Sequence, residues 1–282
     1  LYSPKRDRYS PERLAMVGQL RRAIEGRELV LHYQPKVDLV RGRISGVEAL
    51  VRWNHPEQGL LAAGAFVPLT EHTGLIRSLT SLVLEDAIRQ CAEWRAQGFD
   101  IPVAVNLSVR NLHDAQLPEE VAALLRAHGV PASALTLEIT ESAIMLDPYR
   151  AMGVLARLSA MGLGLSIDDF GSGHSSLAYL KRLPVSELKI DRSFVQYMSS
   201  EPNDAAIVRT TVELGRNLGL EVVAEGVEDE GAVERLLSFG CELAQGYHLG
   251  RPAPAKAITE LLEAERGADV GAADAAPGLR AS

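Results

Sequence analysis

The stretch Leu165-Ser166-Ile167-Asp168-Asp169-Phe170-Gly171-Ser172-Gly173-His174-Ser175-Ser176-Leu177 ends an apolar, strand-like run in two adjacent carboxylates, and a Gly-x-Gly loop follows at once. Asp and Gly are ordinary turn residues, so the stretch alone fits a solvated strand end. It fits equally well a cation held between the two aspartates, or a cation on one while the other holds the loop. The flanking sequence decides between these.

On both sides the chain alternates between two periodicities. Strand-like runs lie at 101–106, 135–140, 163–168, 186–190, 220–224 and 241–245. Helical patterns lie between most of them, at 117–128, 147–161, 174–182, 203–218, 229–238 and 254–265. Such alternation implies right-handed βαβ units and a parallel sheet. Upstream, Ser10-Pro11-Glu12 opens a helix with an N-cap, a first-position proline and an acid in the first turn. That helix ends near Gly26; strands at 29–35 and 44–53 then flank an Arg41-Gly42-Arg43 turn and read as a hairpin. Residues 54–74 read as a loop with a short helix, and 75–97 as a long helix. Eight strands in this rhythm favour a barrel. The hairpin requires one strand to run against the others.

The chain has 282 residues, a length that suits one large domain or two small ones, and its 46% hydrophobic and 23% charged content is ordinary for a soluble globular protein. No apolar run approaches the ~18 residues of a membrane span. The net charge of −8 argues against non-specific nucleic-acid binding but leaves room for a small anionic ligand. Cys91 and Cys241 lack metal-ligand spacing and suggest a reducing, cytoplasmic setting. Both read as core residues, as does Trp53, and His32 and His248 read as strand-packed. Gly171-Ser172-Gly173 is no P-loop, since no Gly-Lys-Ser/Thr follows, and there is no Gly-x-Ser-x-Gly elbow. Residues 1–9 read as a linker, and 267–282, rich in Ala, Gly and Asp, as a disordered tail.

The polar residues fall in register. Glu48 lies in the second strand of the hairpin, and Asn106, Glu138, Asp168, Lys189, Glu225 and Gln245 lie at or near the ends of successive strand runs, 20 to 36 residues apart. A βαβ unit is roughly 30 residues long, and in a (β/α)₈ barrel the C-terminal strand ends share the active-site face. Clustered carboxylates repel, by about 4 kcal/mol for charges about 4 Å apart at an effective dielectric near 20. Either some protonate or cations neutralise them. Carboxylates with an Asn oxygen are hard ligands suited to Mg²⁺ or Mn²⁺, and two such ions are common machinery for phosphodiester cleavage.

These residues resemble the EAL-domain cyclic di-GMP phosphodiesterases. The signature is Glu48-Ala49-Leu50-Val51-Arg52-Trp53, with Tyr33-Gln34-Pro35, Asn106-Leu107-Ser108, Glu138-Ile139-Thr140-Glu141, Asp168-Asp169-Phe170-Gly171, Leu188-Lys189-Ile190-Asp191, Glu225-Gly226-Val227-Glu228 and Gln245-Gly246-Tyr247 around it. The resemblance implies a TIM-like (β/α)₈ barrel with one antiparallel strand over residues 10–266. It implies hydrolysis of cyclic di-GMP to linear pGpG with two Mg²⁺ or Mn²⁺ ions. By motif, Glu48, Asn106, Glu138, Asp168 and Asp169 would hold metal, with Asp168 shared between the ions. Lys189, Glu225 and Gln245 would serve the nucleophilic water. Gln34, Leu50, Arg52 and Asp191 would bind substrate, and Glu141 would anchor the loop after Asp169. A catalytically silent cyclic di-GMP receptor is the alternative, although silent relatives typically lose a metal ligand, the Lys or the loop motif. Ser172, His174, Leu249 and His72 depart from the common pattern, and none is an expected ligand. Tyr2-x-x-Lys5 resembles the end of a GGDEF domain, which implies an upstream GGDEF or sensor domain. A homodimer is the expected assembly, since relatives commonly pair.

Overall fold

A computed structural model describes residues 11–172 and 180–274. Strands β1 (Leu29–Asp38) and β2 (Arg43–His55) form the expected hairpin, paired from Leu29 opposite Trp53 to Asp38 opposite Arg43 with a register shift between Lys36 and Val37. Asp38 makes the turn: its Oδ1 accepts from the amides of Val40 and Arg41 at 3.0 and 2.9 Å.

Strands β4 (Val103–Leu107), β5 (Leu135–Thr140), β6 (Gly164–Phe170), β7 (Glu187–Ile190), β8 (Glu221–Glu225) and β9 (Leu243–Gln245) follow β2 in parallel order. β1 lies between β2 and β9, antiparallel to both, and closes an eight-stranded α/β barrel. The strand that runs against the rest is therefore β1.

Alternation along each strand sorts the side chains into two shells. Leu137 and Ile139, Leu165 and Ile167, and Leu188 and Ile190 are buried in the apolar core cluster between barrel and helices. Thr136 and Glu138, Ser166 and Asp168, and Glu187 and Lys189 alternate with them and face the lumen. Barrels of this class usually fill the lumen with branched apolar residues; here charged and polar side chains take many of those places. Helix Ile76–Ala96 buries Leu79, Val83, Leu84, Ile88, Cys91 and Trp94. Trp94 meets Tyr33 of β1 edge-on at 4.9 Å and donates from its indole nitrogen to Thr259 at 2.8 Å. One side chain thus ties together β1, the long helix and the last helix. Cys91 and Cys241 are buried and free, and burial pushes their thiols up to about 11 and 12.

Several elements differ from expectation. β3 (Gly59–Ala62) pairs with β2 and β10 (Ala253–Pro254) with β1; both are too short to show alternation in sequence. Helices Glu141–Leu146 and Arg192–Val195 are likewise too short for a 3.6-residue period to register. The last helix, Ala255–Asp274, continues past Gly267, so the tail read as disordered is helical as far as Asp274. His248 lies in a turn and pairs with Glu230, not in a strand. The Ser10 cap, the linker at 1–9, His174 and most of the helix at 174–182 lie outside the described residues. Among the described residues no helix is long and apolar enough to cross a membrane.

Helix Pro202–Leu218 approaches β8 through Gly215, where an added Cβ would fall inside the Val222 side chain. Gly215→Ala should therefore destabilise the fold by about 1–3 kcal/mol through overpacking, despite a helix-propensity gain of about 1 kcal/mol. Urea unfolding measures this, and a more stable variant would show that Val222 moves aside freely.

Candidate active site

At the C-terminal mouth of the barrel the side chains converge on Lys189. Its ammonium lies 2.7 Å from Glu225 Oε1, 2.9 Å from Glu138 Oε2, 3.5 Å from Glu48 Oε2 and 3.6 Å from Asp168 Oδ1. The lysine side chain is 1% exposed. Four different strands supply these carboxylates, and parallel register sets Asn106 opposite Glu138 and Glu225 opposite Gln245. Amides bridge the remaining gaps. Asn106 Nδ2 and Gln245 Nε2 each donate to Glu48 at 2.6 Å. Gln245 also donates to Gln34 Oε1 at 3.1 Å, and Gln34 donates to the Gly250 carbonyl at 3.0 Å.

In a regular strand Asp168 and Asp169 would point to opposite faces. Two irregularities prevent this. The β6–β7 register shifts between Ile167 and Phe170, and Asp169 adopts a left-handed conformation with φ of 55°. Asp tolerates that region better than most side chains. The Asp169 amide donates to Asp168 Oδ1 at 3.0 Å. As a result, carboxylate oxygens of Asp168, Asp169 and Glu225 all lie within 4.8 Å of one another. Glu225 thus joins the aspartates as a candidate ligand, a position that strand ends alone do not reveal. Glu141 secures the next turn: its buried carboxylate accepts from the Gly171 amide at 3.4 Å, while its Oε1 has no partner among the described residues.

One ammonium cannot neutralise this many acids. Burial works against charge on Lys189, but Glu138, Glu225, Glu48 and Asp168 outweigh it and hold the ammonium well above its usual range. Burial also opposes charge on Glu48, yet Lys189 and the donors Gln245 and Asn106 keep that carboxyl low. The others carry the excess. Burial and the Glu48 charge push Glu138 well up. Burial, against the pull of Lys189 and with repulsion from Asp168 and Glu48, pushes Glu225 up to about 7. Burial, Asp168 and Asp191 push Asp169 up to about 6. A cluster of hard oxygen donors that still holds surplus charge fits a divalent cation such as Mg²⁺ or Mn²⁺.

Gln34, Glu48, Leu50, Glu225 and Gln245 share a cleft of about 170 Å³ beside this cluster. Arg192, Gln196, Glu228 and Tyr247 line it too, although the sequence reading gave them no role. Glu228 and Tyr247 stand inside motifs that reading quoted, which was the available signal; Arg192 and Gln196 had none. Tyr247 carries Arg251 against its ring at 4.4 Å. Arg52 and Asp191 do not line the cleft. The Arg52 guanidinium donates to the Val51 carbonyl at 3.0 Å. Asp191 caps helix Arg192–Val195, accepting from the Ser193 amide at 2.8 Å.

A family profile described as the EAL domain matches residues 17–252. The bifunctional diguanylate cyclase/cyclic di-GMP phosphodiesterase MucR of Pseudomonas aeruginosa is 50% identical over 248 residues, covering 88% of this chain and 36% of MucR. The cyclic di-GMP phosphodiesterase NbdA of the same organism is 43% identical over 270 residues, covering 95% of this chain and 34% of NbdA. This chain therefore spans about a third of each. A solved structure of the PaMucR phosphodiesterase in complex with c-di-GMP matches with a TM-score of 0.84 at 50% identity, over 86% of this chain and 99% of that one.

The raised carboxyls predict a pH signature. Glu225 titrates near 4.5 when unfolded and about 7 when folded, so between those values the folded chain binds more protons. Its stabilising contribution is complete below the lower value and is lost as pH rises through the upper one. In chelator, the thermal midpoint should fall across this window, and Glu225→Gln should flatten the fall. An unchanged slope in the variant would remove Glu225 as its source.

Proposed function

This chain belongs to the EAL domain family, and from its site we propose that it is a metal-dependent phosphodiesterase that cleaves cyclic di-GMP to linear pGpG. The observation that carries the reading is the buried Lys189 among Glu48, Glu138, Asp168 and Glu225, beside the Asp168–Asp169–Glu225 cluster. Glu48, Asn106, Glu138 and Asp168 would hold one Mg²⁺ or Mn²⁺, and Asp168, Asp169 and Glu225 a second. Such ions supply a water of lowered pKa and screen the clustered acids.

The chain's own groups account for the rest. Lys189 and Glu225 orient the attacking water, and Gln245 supports it through Glu48. The water oxygen bonds to phosphorus as the phosphorus–O3′ bond breaks; Glu225 takes the proton the water gives up, and that proton passes to the departing O3′. Lys189 offsets charge that builds on the phosphoryl oxygens. Arg52 grips a substrate phosphate and Gln34 a guanine, and Leu50 and Asp191 complete the substrate contacts. The module functions in the cytoplasm as a homodimer and follows a GGDEF or sensor domain. Support for the last point is the bifunctional description of MucR, of which this chain matches 36%.

Incubation of the purified protein with cyclic di-GMP and Mg²⁺ or Mn²⁺ should yield pGpG. Tight binding without product would instead favour a silent receptor. Glu48→Ala should lower turnover by more than about 100-fold, since even groups behind metal ligands typically cost 10–100-fold. Near-normal turnover would take Glu48 out of the ligand set. Glu141→Ala removes no ligand but frees the Gly171 turn, and should weaken Mn²⁺ binding by roughly tenfold, about the strength of one hydrogen bond to a charged group. Unchanged affinity in calorimetry would rule out the anchoring role.

A further inference from the structure

Beneath the carboxylates lies a second charged layer with no part in the reaction above. Lys36 on β1 reaches across the lumen to β7, three strands around the barrel wall, and its ammonium donates to Glu187 Oε2. The two side chains are 13% and 4% exposed. Glu187 Oε1 has no partner, nor does Ser166 Oγ opposite it on β6, among the described residues.

The lysine stem occupies room that Gly46 leaves. Lys36 pairs with Gly46 across the hairpin, and a Cβ on Gly46 would sit 3.4 Å from Lys36 Cε and 3.2 Å from Pro102. Glu48 stands two residues further along β2 on the same face, about 7 Å higher. Glu187 stands two residues before Lys189, one layer below it. A small cavity lined by Lys36, Glu48, Glu138 and Gln245 connects the layers.

A second ammonium is therefore tethered one layer below two candidate metal ligands, and all three line one cavity of about 10 Å³. A buried ammonium without a partner must find a carboxylate or lose its proton. Glu138 and Glu48 share that cavity with Lys36 and are the alternatives to Glu187. We propose that Glu187 is a positioning residue that holds the Lys36 ammonium down, so that Lys36 does not occupy Glu48 and Glu138 in place of a divalent cation. This rests on the reading of those two residues as metal ligands.

The test is Mn²⁺ binding by calorimetry, with circular dichroism melts to report folding. Glu187→Gln should bind Mn²⁺ about tenfold more weakly, the scale of other outer-shell changes. Adding Lys36→Met should return affinity to the unmodified level, which loss of local structure would not do. Lys36→Met alone should bind at least as tightly as the unmodified chain. If Glu187→Gln does not fold, Glu187→Asp takes its place: its shorter reach releases Lys36, and Lys36→Met should again restore binding. Unchanged affinity in the Glu187 variant, or a double variant that stays weak, overturns the proposal alone. An unmodified chain that takes up no Mn²⁺ overturns the metal reading and this proposal together.

Discussion

Everything at the mouth of this barrel answers to one buried ammonium. Lys189 is 1% exposed and touches carboxylates from β2, β5, β6 and β8. An isolated charge at such depth would be expelled or neutralised. Here the acids hold the ammonium, and the ammonium lets the acids approach one another. The balance is incomplete, because the acids outnumber the cation, and Glu138, Glu225 and Asp169 show the surplus in their raised proton affinity. That residual negative potential suits the cluster to a cation and sets it apart from a settled ion pair.

The lumen is built to sustain this. The apolar shell faces outward onto the helices and carries the stability, with Leu137, Leu165 and Leu188 fully buried. The inner shell is then free to be polar. Each β7 residue shows the division: Leu188 and Ile190 pack outward, while Glu187 and Lys189 serve two charged layers of the interior.

Much of this was legible in the sequence. The strand–helix rhythm, the hairpin and the polar residue at each strand end follow from periodicities that one strand or helix carries by itself. So the barrel, its reversed strand and the convergence of Glu48, Glu138, Asp168, Lys189 and Gln245 could be read from the order of residues. What escaped depends on relations between strands or on single dihedrals. The turn at Asp169 that brings both aspartates to one side is a local break in alternation, and no pattern announces it. Glu225 falls within reach of those aspartates only once β6 and β8 stand either side of β7. The Lys36–Glu187 pair spans 151 positions of sequence. Asp191 and Arg52, which their motifs mark as substrate contacts, lie outside the lining of this cleft, and a motif does not encode the side-chain direction that places them there.

The reversed strand has a consequence for how the site comes into being. β1 is the first strand of the barrel to be made, yet it is locked on its second side only by β9, the last of the eight. The links that cross this seam join Gln245 to Gln34 and to Glu48 over 211 and 197 positions. Chains emerge from the ribosome N-terminus first and fold as units. A nascent chain that has already made Glu48, Asp168 and Lys189 still lacks the strand that braces them, so the carboxylate ring assembles only once β9 has been made. The seam acts as a completeness check: a truncated product holds the charged residues but not the closed ring that would let them work.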